Sequence, residues 1–128
     1  MELLVHRAMY HAASEREGMA TWAIVHAHTL YTIAASLVAD HIAAVDSEAK
    51  YLFPSGVPVI TADETIASAE IADKMATLVA KGGNIAVVKG HGPFAMAEDL
   101  EKAYRLISVL EHDCRVAYLA STWRMGAE

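Results

Sequence analysis

The chain has little of what would make a protein secreted, fibrous or nucleic-acid binding. A single cysteine, Cys114, in 128 residues excludes an intrachain disulfide framework and fits a reducing compartment such as the cytoplasm. Three prolines and seven glycines are too few for a linker or a fibrous protein. Basic residues are outnumbered, with 10 Lys and Arg against 16 Asp and Glu and a net charge of −6. No basic face for phosphates is expected, which excludes a general nucleic-acid binder, and charge runs are too short to form a tail. Glu2, His6 and Arg7 interrupt the start before any apolar stretch, so no signal peptide is visible. One charge-free run, from Gly18 to Ala39, is long enough to span a bilayer. It contains Thr21, His26, His28, Thr29, Thr32 and Ser36, which are costly in lipid, and it divides better into a strand followed by a helix.

What is there is apolar. The chain is 55% hydrophobic with a mean hydropathy of +0.27, too apolar for disorder, and its length fits one domain over residues 1–128. A domain this small cannot hide so much apolar area in one core, which points to a homo-oligomer.

Periodicity divides the chain into alternating helices and strands. Leu3, Leu4, Ala8, Met9, Ala12 and Ala13 recur at helical spacing, which predicts a helix over 2–16 ended by Gly18. Residues 22–28 form a short run of strand formers, and Thr29 can then cap a helix to about Val38. Strands are expected at Ile42–Val45 and Val57–Ile60, separated by the turn residues Phe53-Pro-Ser-Gly56. Thr61-Ala-Asp-Glu64 resembles a capping box and predicts a helix to about Lys81, closed by Gly82-Gly83. Asn84–Lys89 reads as a buried strand and Gly90–Pro93 as a tight loop. A last helix is expected from about Ala97–Asp99 to Thr122, with Leu100, Ala103, Tyr104, Ile107, Leu110, Cys114 and Ala117 on one apolar face. The pattern is that of an α/β domain, a small sheet with helices packed on it. Met9, Met19, Met75 and Met96 read as core filling, and Cys114 as a small packed hydrophobe.

Seven histidines are an enrichment. His26 and His28 lie two apart on a predicted strand, so both side chains leave the same face. His91 follows another predicted strand between two glycines, which leave the backbone free to turn and the ring uncrowded. Three imidazoles converging from neighbouring strand ends would make an open zinc site. On spacing alone, two packed core histidines bonded to backbone carbonyls are the blander reading and explain the pair at least as well. Glu2 and His6 share a face of the first helix. Glu2 is either a solvated acid at the positive end of the helix dipole or a carboxylate base facing a metal. Arg7 and Lys89 are either solvated surface charges or contacts for an anionic substrate; His11, His41 and His112 read as surface or structural.

Together these segments resemble the class II aldolase/adducin family of zinc-dependent sugar-phosphate aldolases. The carrying residues are Glu2-Leu-Leu-Val-His6, then Ala23-Ile-Val-His-Ala-His-Thr-Leu-Tyr31, then Val87-Val-Lys-Gly-His-Gly92, with Asp99–Ala103 opening a similar last helix. The three blocks share the family's order and spacing over residues 1–122. The resemblance implies a three-layer domain with a small central sheet flanked by helices. It implies that His26, His28 and His91 ligate Zn2+ or another divalent transition ion, and that Glu2 is the catalytic acid/base. The implied activity is cleavage of a ketose 1-phosphate to a dihydroxyacetone-phosphate-like ketone and an aldehyde. Epimerisation, dehydration or decarboxylation at the same centre, and a non-catalytic metal-binding oligomer module, are the alternatives. The implied partners are a small sugar phosphate and further copies of the chain in a tetramer, with no nucleic acid and no membrane. Family members have roughly 50 more residues before the Glu-x-x-x-His helix, including the phosphate-binding loop, so no phosphate-binding residue transfers to this chain and a separate N-terminal chain is a further expected partner. Met1 stands where the family has a serine. Ser47 lies near the family's tyrosine proton donor, for which Tyr51 is a loose counterpart.

Overall fold

The computed structural model describes residues 2–16 and 21–127, with side chains described as far as Trp123. The predicted end of the first helix at Gly18 and the core role of Met19, together with Met1, lie outside the described residues. Ten elements follow in the order α1 (Leu3–Ser14), β1 (Ala23–His26), α2 (Leu30–Val38), β2 (His41–Ile42), α3 (Ser47–Leu52), β3 (Val57–Ile60), α4 (Ala69–Ala80), β4 (Ile85–Val88), β5 (Gly92–Ala97) and α5 (Leu100–Ala127). The strands form one five-stranded mixed sheet in the order β1-β5-β4-β3-β2. Only β3 and β4 pair in parallel, because α4 supplies the crossover that a parallel pair requires. The result is the expected α/β architecture, a small sheet with helices on both faces.

Alternation along the strands sorts the core onto those two faces. Ala86, Val88, Phe94 and Met96 join Val5 and Met9 of α1 and Ile71, Met75 and Val79 of α4. Their neighbours Ile85, Val87 and Ala95 face the other way, onto Ile107, Leu110 and Cys114 of α5 and Ala49 and Phe53 beside α3. Met9, Met75 and Met96 are fully buried, as expected. Burial pushes the Cys114 thiol up to about 11, so it packs as an inert hydrophobe.

Several expectations are corrected. The segment Gly90–Pro93 is not simply a loop before the last helix: Gly92–Ala97 form β5, which pairs antiparallel with both β4 and β1. Its Gly, Pro and Ala content conceals a strand that is buried along almost its whole length. The fourth helix begins at Ala69, with Ser68 Oγ accepting from Ile71 N, and Thr61–Glu64 lie outside it. The strand expected over Ile42–Val45 shrinks to His41–Ile42, and residues 47–52 form a helix capped by Asp46, which accepts from Ala49 N. Leu100 and Tyr104, expected on the buried face of the last helix, are exposed. Among the described residues, no helix is long and apolar enough to cross a membrane, and the charge-free run is divided between β1 and α2.

Candidate metal centre

The β4–β5 hairpin and the end of β1 build the site. Val88 pairs with Gly92, so Lys89, Gly90 and His91 form a three-residue loop, closed by His91 N donating to Val88 O at 2.9 Å. Gly90 takes a positive φ of 72°, the left-handed conformation such loops require. At Gly92, with φ of 140°, a Cβ would lie 2.2 Å from Ala27 O. Only glycine permits this approach of the hairpin to the chain leaving β1. In the β1–β5 register His26 faces Phe94, and Ala27 N continues the ladder to Pro93 O at 3.3 Å. His28 therefore ends up beside the hairpin loop that carries His91.

The three imidazoles meet. His26 Nε2 lies 3.2 Å from His28 Nε2 and 3.1 Å from His91 Nε2. All three candidate ligand atoms are within 4.8 Å of one another. His26 Nδ1 is 2.9 Å from Pro93 O; a carbonyl oxygen only accepts, so Nδ1 carries the proton and donates. Burial lowers the His26 pKa from its ordinary value, favouring the neutral ring, whose Nε2 lone pair then points at the other two nitrogens. The His26 ring also stacks on Phe94, with centroids 3.9 Å apart and planes 15° from parallel. A fixed tautomer with an oriented ring is what the outer shell of a metal site supplies.

The donor set fits a divalent ion. Tetrahedral zinc with nitrogens at about 2.0–2.1 Å spaces those nitrogens about 3.3 Å apart, close to the separations from His26 Nε2. Three imidazole ligands with a solvent-facing side, His28 being exposed, would leave a coordination position open.

Glu2 stands beside this cluster. Its Oε1 is 3.6 Å from His91 Nε2 and its side chain is largely buried, while Oε2 is buried with no hydrogen-bond partner among the described residues. The Glu2 carbonyl accepts from His6 N at 3.1 Å, so the first turn of α1 holds the residue in place. His6 packs edge-on against Phe94, ring centroids 5.9 Å apart, and burial lowers its pKa. Glu2, Leu3, His6, Arg7 and Tyr10 line an open concavity of about 380 Å³. The structure brings none of His11, His41 and His112 to the cluster, and His41 is bonded to Ser55 O at 2.6 Å. Tyr51 is 81% exposed.

Four contributors were not singled out from sequence: the Pro93 carbonyl, Phe94, Ser36 and Glu111. Glu111, from α5, caps α2 from a distance: its carboxylate accepts from Tyr31 N at 3.1 Å and from Thr32 N at 2.8 Å. Thr29, expected to cap this helix through its side chain, occupies the N-cap position but makes no such bond. An acid at position 111 gives no local sign of a partner some eighty residues away.

Comparison with known proteins identifies the family and the fold. Residues 1–118 match the family described as Class II Aldolase and Adducin N-terminal domain. The L-fuculose-1-phosphate aldolase from Thermus thermophilus superposes with a TM-score of 0.86 at 27% identity, over 99% of this chain and 64% of that one. YgbL from Escherichia coli, described as a candidate aldolase, epimerase or decarboxylase, gives a TM-score of 0.73 at 22% identity over 91% of this chain and 55% of that one. YgbL from Klebsiella pneumoniae gives 0.73 at 25% identity, over 92% and 56%. The chain thus spans between 55% and 64% of the length of these relatives. No curated protein matches it in sequence. With a family match over nearly its whole length, the chain belongs to the class II aldolase and adducin family.

Proposed function

We propose that residues 1–128 act as one metal-dependent aldolase domain that cleaves a small ketose 1-phosphate to a dihydroxyacetone-phosphate-like ketone and an aldehyde. The observation that carries this reading is the convergence of His26, His28 and His91 with a largely buried carboxylate, Glu2, beside them. His26, His28 and His91 hold the ion, Zn2+ or another divalent transition metal, since imidazole ligation suits several. When bound, the ion supplies a Lewis acid for the negative charge that develops on the substrate's carbonyl and hydroxyl oxygens.

The remaining work falls to the chain's own residues. Pro93 O fixes the His26 tautomer and Phe94 its ring plane. As the carbon–carbon bond breaks, its electron pair passes into an enediolate and the departing carbon's hydroxyl gives its proton to solvent as it becomes an aldehyde. Glu2, protonated from solvent, gives that proton to the enediolate carbon and, as the carboxylate, removes it in the reverse direction. A carboxylate partly withdrawn from water is suited to that exchange. Arg7, on the wall of the concavity that includes Glu2, favours an anionic substrate. Exposed Leu30, Leu37, Val38 and Trp123 support assembly with further copies, as a tetramer, and the buried lone thiol supports a cytoplasmic location.

The test begins with metal content of untagged protein purified without chelator. About one ion per chain is expected, with nearly complete loss in His26→Ala/His28→Ala. Zinc-loaded protein is then screened for aldehyde release from ketose 1-phosphates. Glu2→Gln is expected to keep the metal and lose about 10²–10⁴-fold in kcat. Absence of metal from the folded wild-type chain overturns the reading. Metal without turnover favours the non-catalytic metal-binding module, in which a separate chain completes the site. The resemblance to YgbL favours a second reading, epimerisation or decarboxylation through the same enolate, which product analysis distinguishes from aldol cleavage and from dehydration.

A further inference from the structure

The hairpin that carries His91 is fastened to the rest of the molecule by a hydroxyl that the proposed chemistry does not use. Ser36, on α2, is fully buried. Its Oγ donates to Ile33 O at 2.6 Å and accepts from Gly90 N at 2.9 Å. Both directions of the hydroxyl are therefore committed, and its orientation is fixed by the two bonds together. Gly90 precedes His91 in a loop of three residues, with its backbone in the left-handed region, so the direction of the Gly90 peptide sets where the next side chain begins.

The helix that holds this hydroxyl is itself tied to a second histidine. Thr29, the residue after His28, is the N-cap of α2. Glu111 fixes that end of the helix through Tyr31 N, Thr32 N and the Thr32 hydroxyl at 2.9 Å. One rigid helix thus starts beside His28 and reaches, through Ser36, the residue next to His91. Sequence distance hides the link, because Ser36 and Gly90 are 54 residues apart.

We propose that Ser36 is a positioning residue for the metal centre, using α2 to hold the His91 loop at a set distance from His28. The proposal rests on the metal-binding reading of the three histidines. Its physical basis is that ligands on separate segments bind an ion well only when the outer groups hold those segments in register. Loss of such a group typically weakens metal binding about 10–100-fold. Alanine is a good helix former, so Ser36→Ala should leave α2 intact while releasing the loop.

The experiment uses the full chain, freed of metal. Co2+ is titrated with visible absorption as the readout, and exchange of the Gly90 amide is followed by NMR. Wild type is compared with Ser36→Ala, with Ser36→Thr, which restores a hydroxyl, and with Ser121→Ala, which removes a helix hydroxyl bonded, among the described residues, only to Tyr118 O. The expected result for Ser36→Ala is faster Gly90 exchange and about 10–100-fold weaker Co2+ binding with an altered absorption band. Ser36→Thr should recover the affinity, and Ser121→Ala should match wild type. Equal Co2+ affinity and spectrum in wild type and Ser36→Ala overturn the proposal, even if thermal stability falls. Failure of wild type itself to bind Co2+ overturns the functional reading and the proposal with it, so the two failures are distinguishable.

Discussion

The two faces of the sheet are built on different principles. The face under α1 and α4 is an apolar contact, with Val5, Met9, Ile71, Met75, Val79, Phe94 and Met96 all buried. The face under α2, α3 and α5 has an apolar core as well. It also holds Thr32, Ser36 and Asp113, which with His91 are the buried polar residues among those described. Polar side chains on this face reach backbone N–H groups: Glu111 those of α2, Asp113 Oδ1 those of Val45 at 2.7 Å and Asp46 at 3.0 Å, and Ser36 that of Gly90. Apolar burial stabilises a fold in proportion to area but tolerates small shifts. A buried hydrogen bond holds one geometry and costs free energy when broken. The first face therefore supplies stability, and the second fixes the segments from which His28 and His91 project.

This contrast is open to direct test. The largest effect is expected on the apolar face. Met75→Ala, in the fully buried core under α1 and α4, should lower stability by ~2–5 kcal/mol in denaturant unfolding. Co2+ affinity of the folded variant should not change; a parallel loss of affinity would break the division between the faces. Glu111→Gln keeps the shape but loses the charge that accepts three hydrogen bonds. It should cost ~1–3 kcal/mol and, unlike Met75→Ala, also weaken Co2+ binding.

A smaller effect concerns Cys114 on the second face, whose thiol is pushed up by burial to about 11 from an ordinary 9.0. The folded chain keeps this proton to higher pH than the unfolded chain does. The resulting stability is present below pH 9 and is lost as pH rises through 9 towards 11. Against Cys114→Ala, wild type should lose ~1 kcal/mol more between about pH 7 and pH 10, and folded wild type should react slowly with iodoacetamide at about pH 8. The smallest effect separates two helix starts: Ser68→Ala should cost ~1 kcal/mol as the N-cap of α4, while exposed Thr61→Ala should be nearly neutral. Equal effects would place the start of the helix at Thr61 after all.

Local patterns made much of the molecule legible. Helical spacing of apolar residues located α1 and α5, the β-branched runs located β1, β3 and β4, and Gly82-Gly83 marked the end of α4. The errors share a cause. A capping box at Thr61 and a cap at Ser68 are both locally acceptable, and tertiary packing of Ile71 and Met75 selects the second. β5 was hidden because Gly-Pro-Phe-Ala-Met-Ala has weak strand propensity, and its two neighbouring strands outweigh that preference. The six-residue α3 is too short for periodicity to reveal.

The centre divides in the same way. The family blocks, the three histidines and Glu2 were readable along the chain, because side-chain chemistry and spacing within a strand or a helix turn are local properties. The meeting of His91 with His26 and His28 was expected from the family resemblance rather than from spacing, whereas the orienting of His26 by Pro93 and Phe94 and the fastening of the surrounding segments by Ser36 and Glu111 were not readable at all. Those contacts join residues between 54 and 80 positions apart. Their geometry comes from strand register and from hydrogen bonds between distant elements, which no pattern along a single stretch of chain encodes.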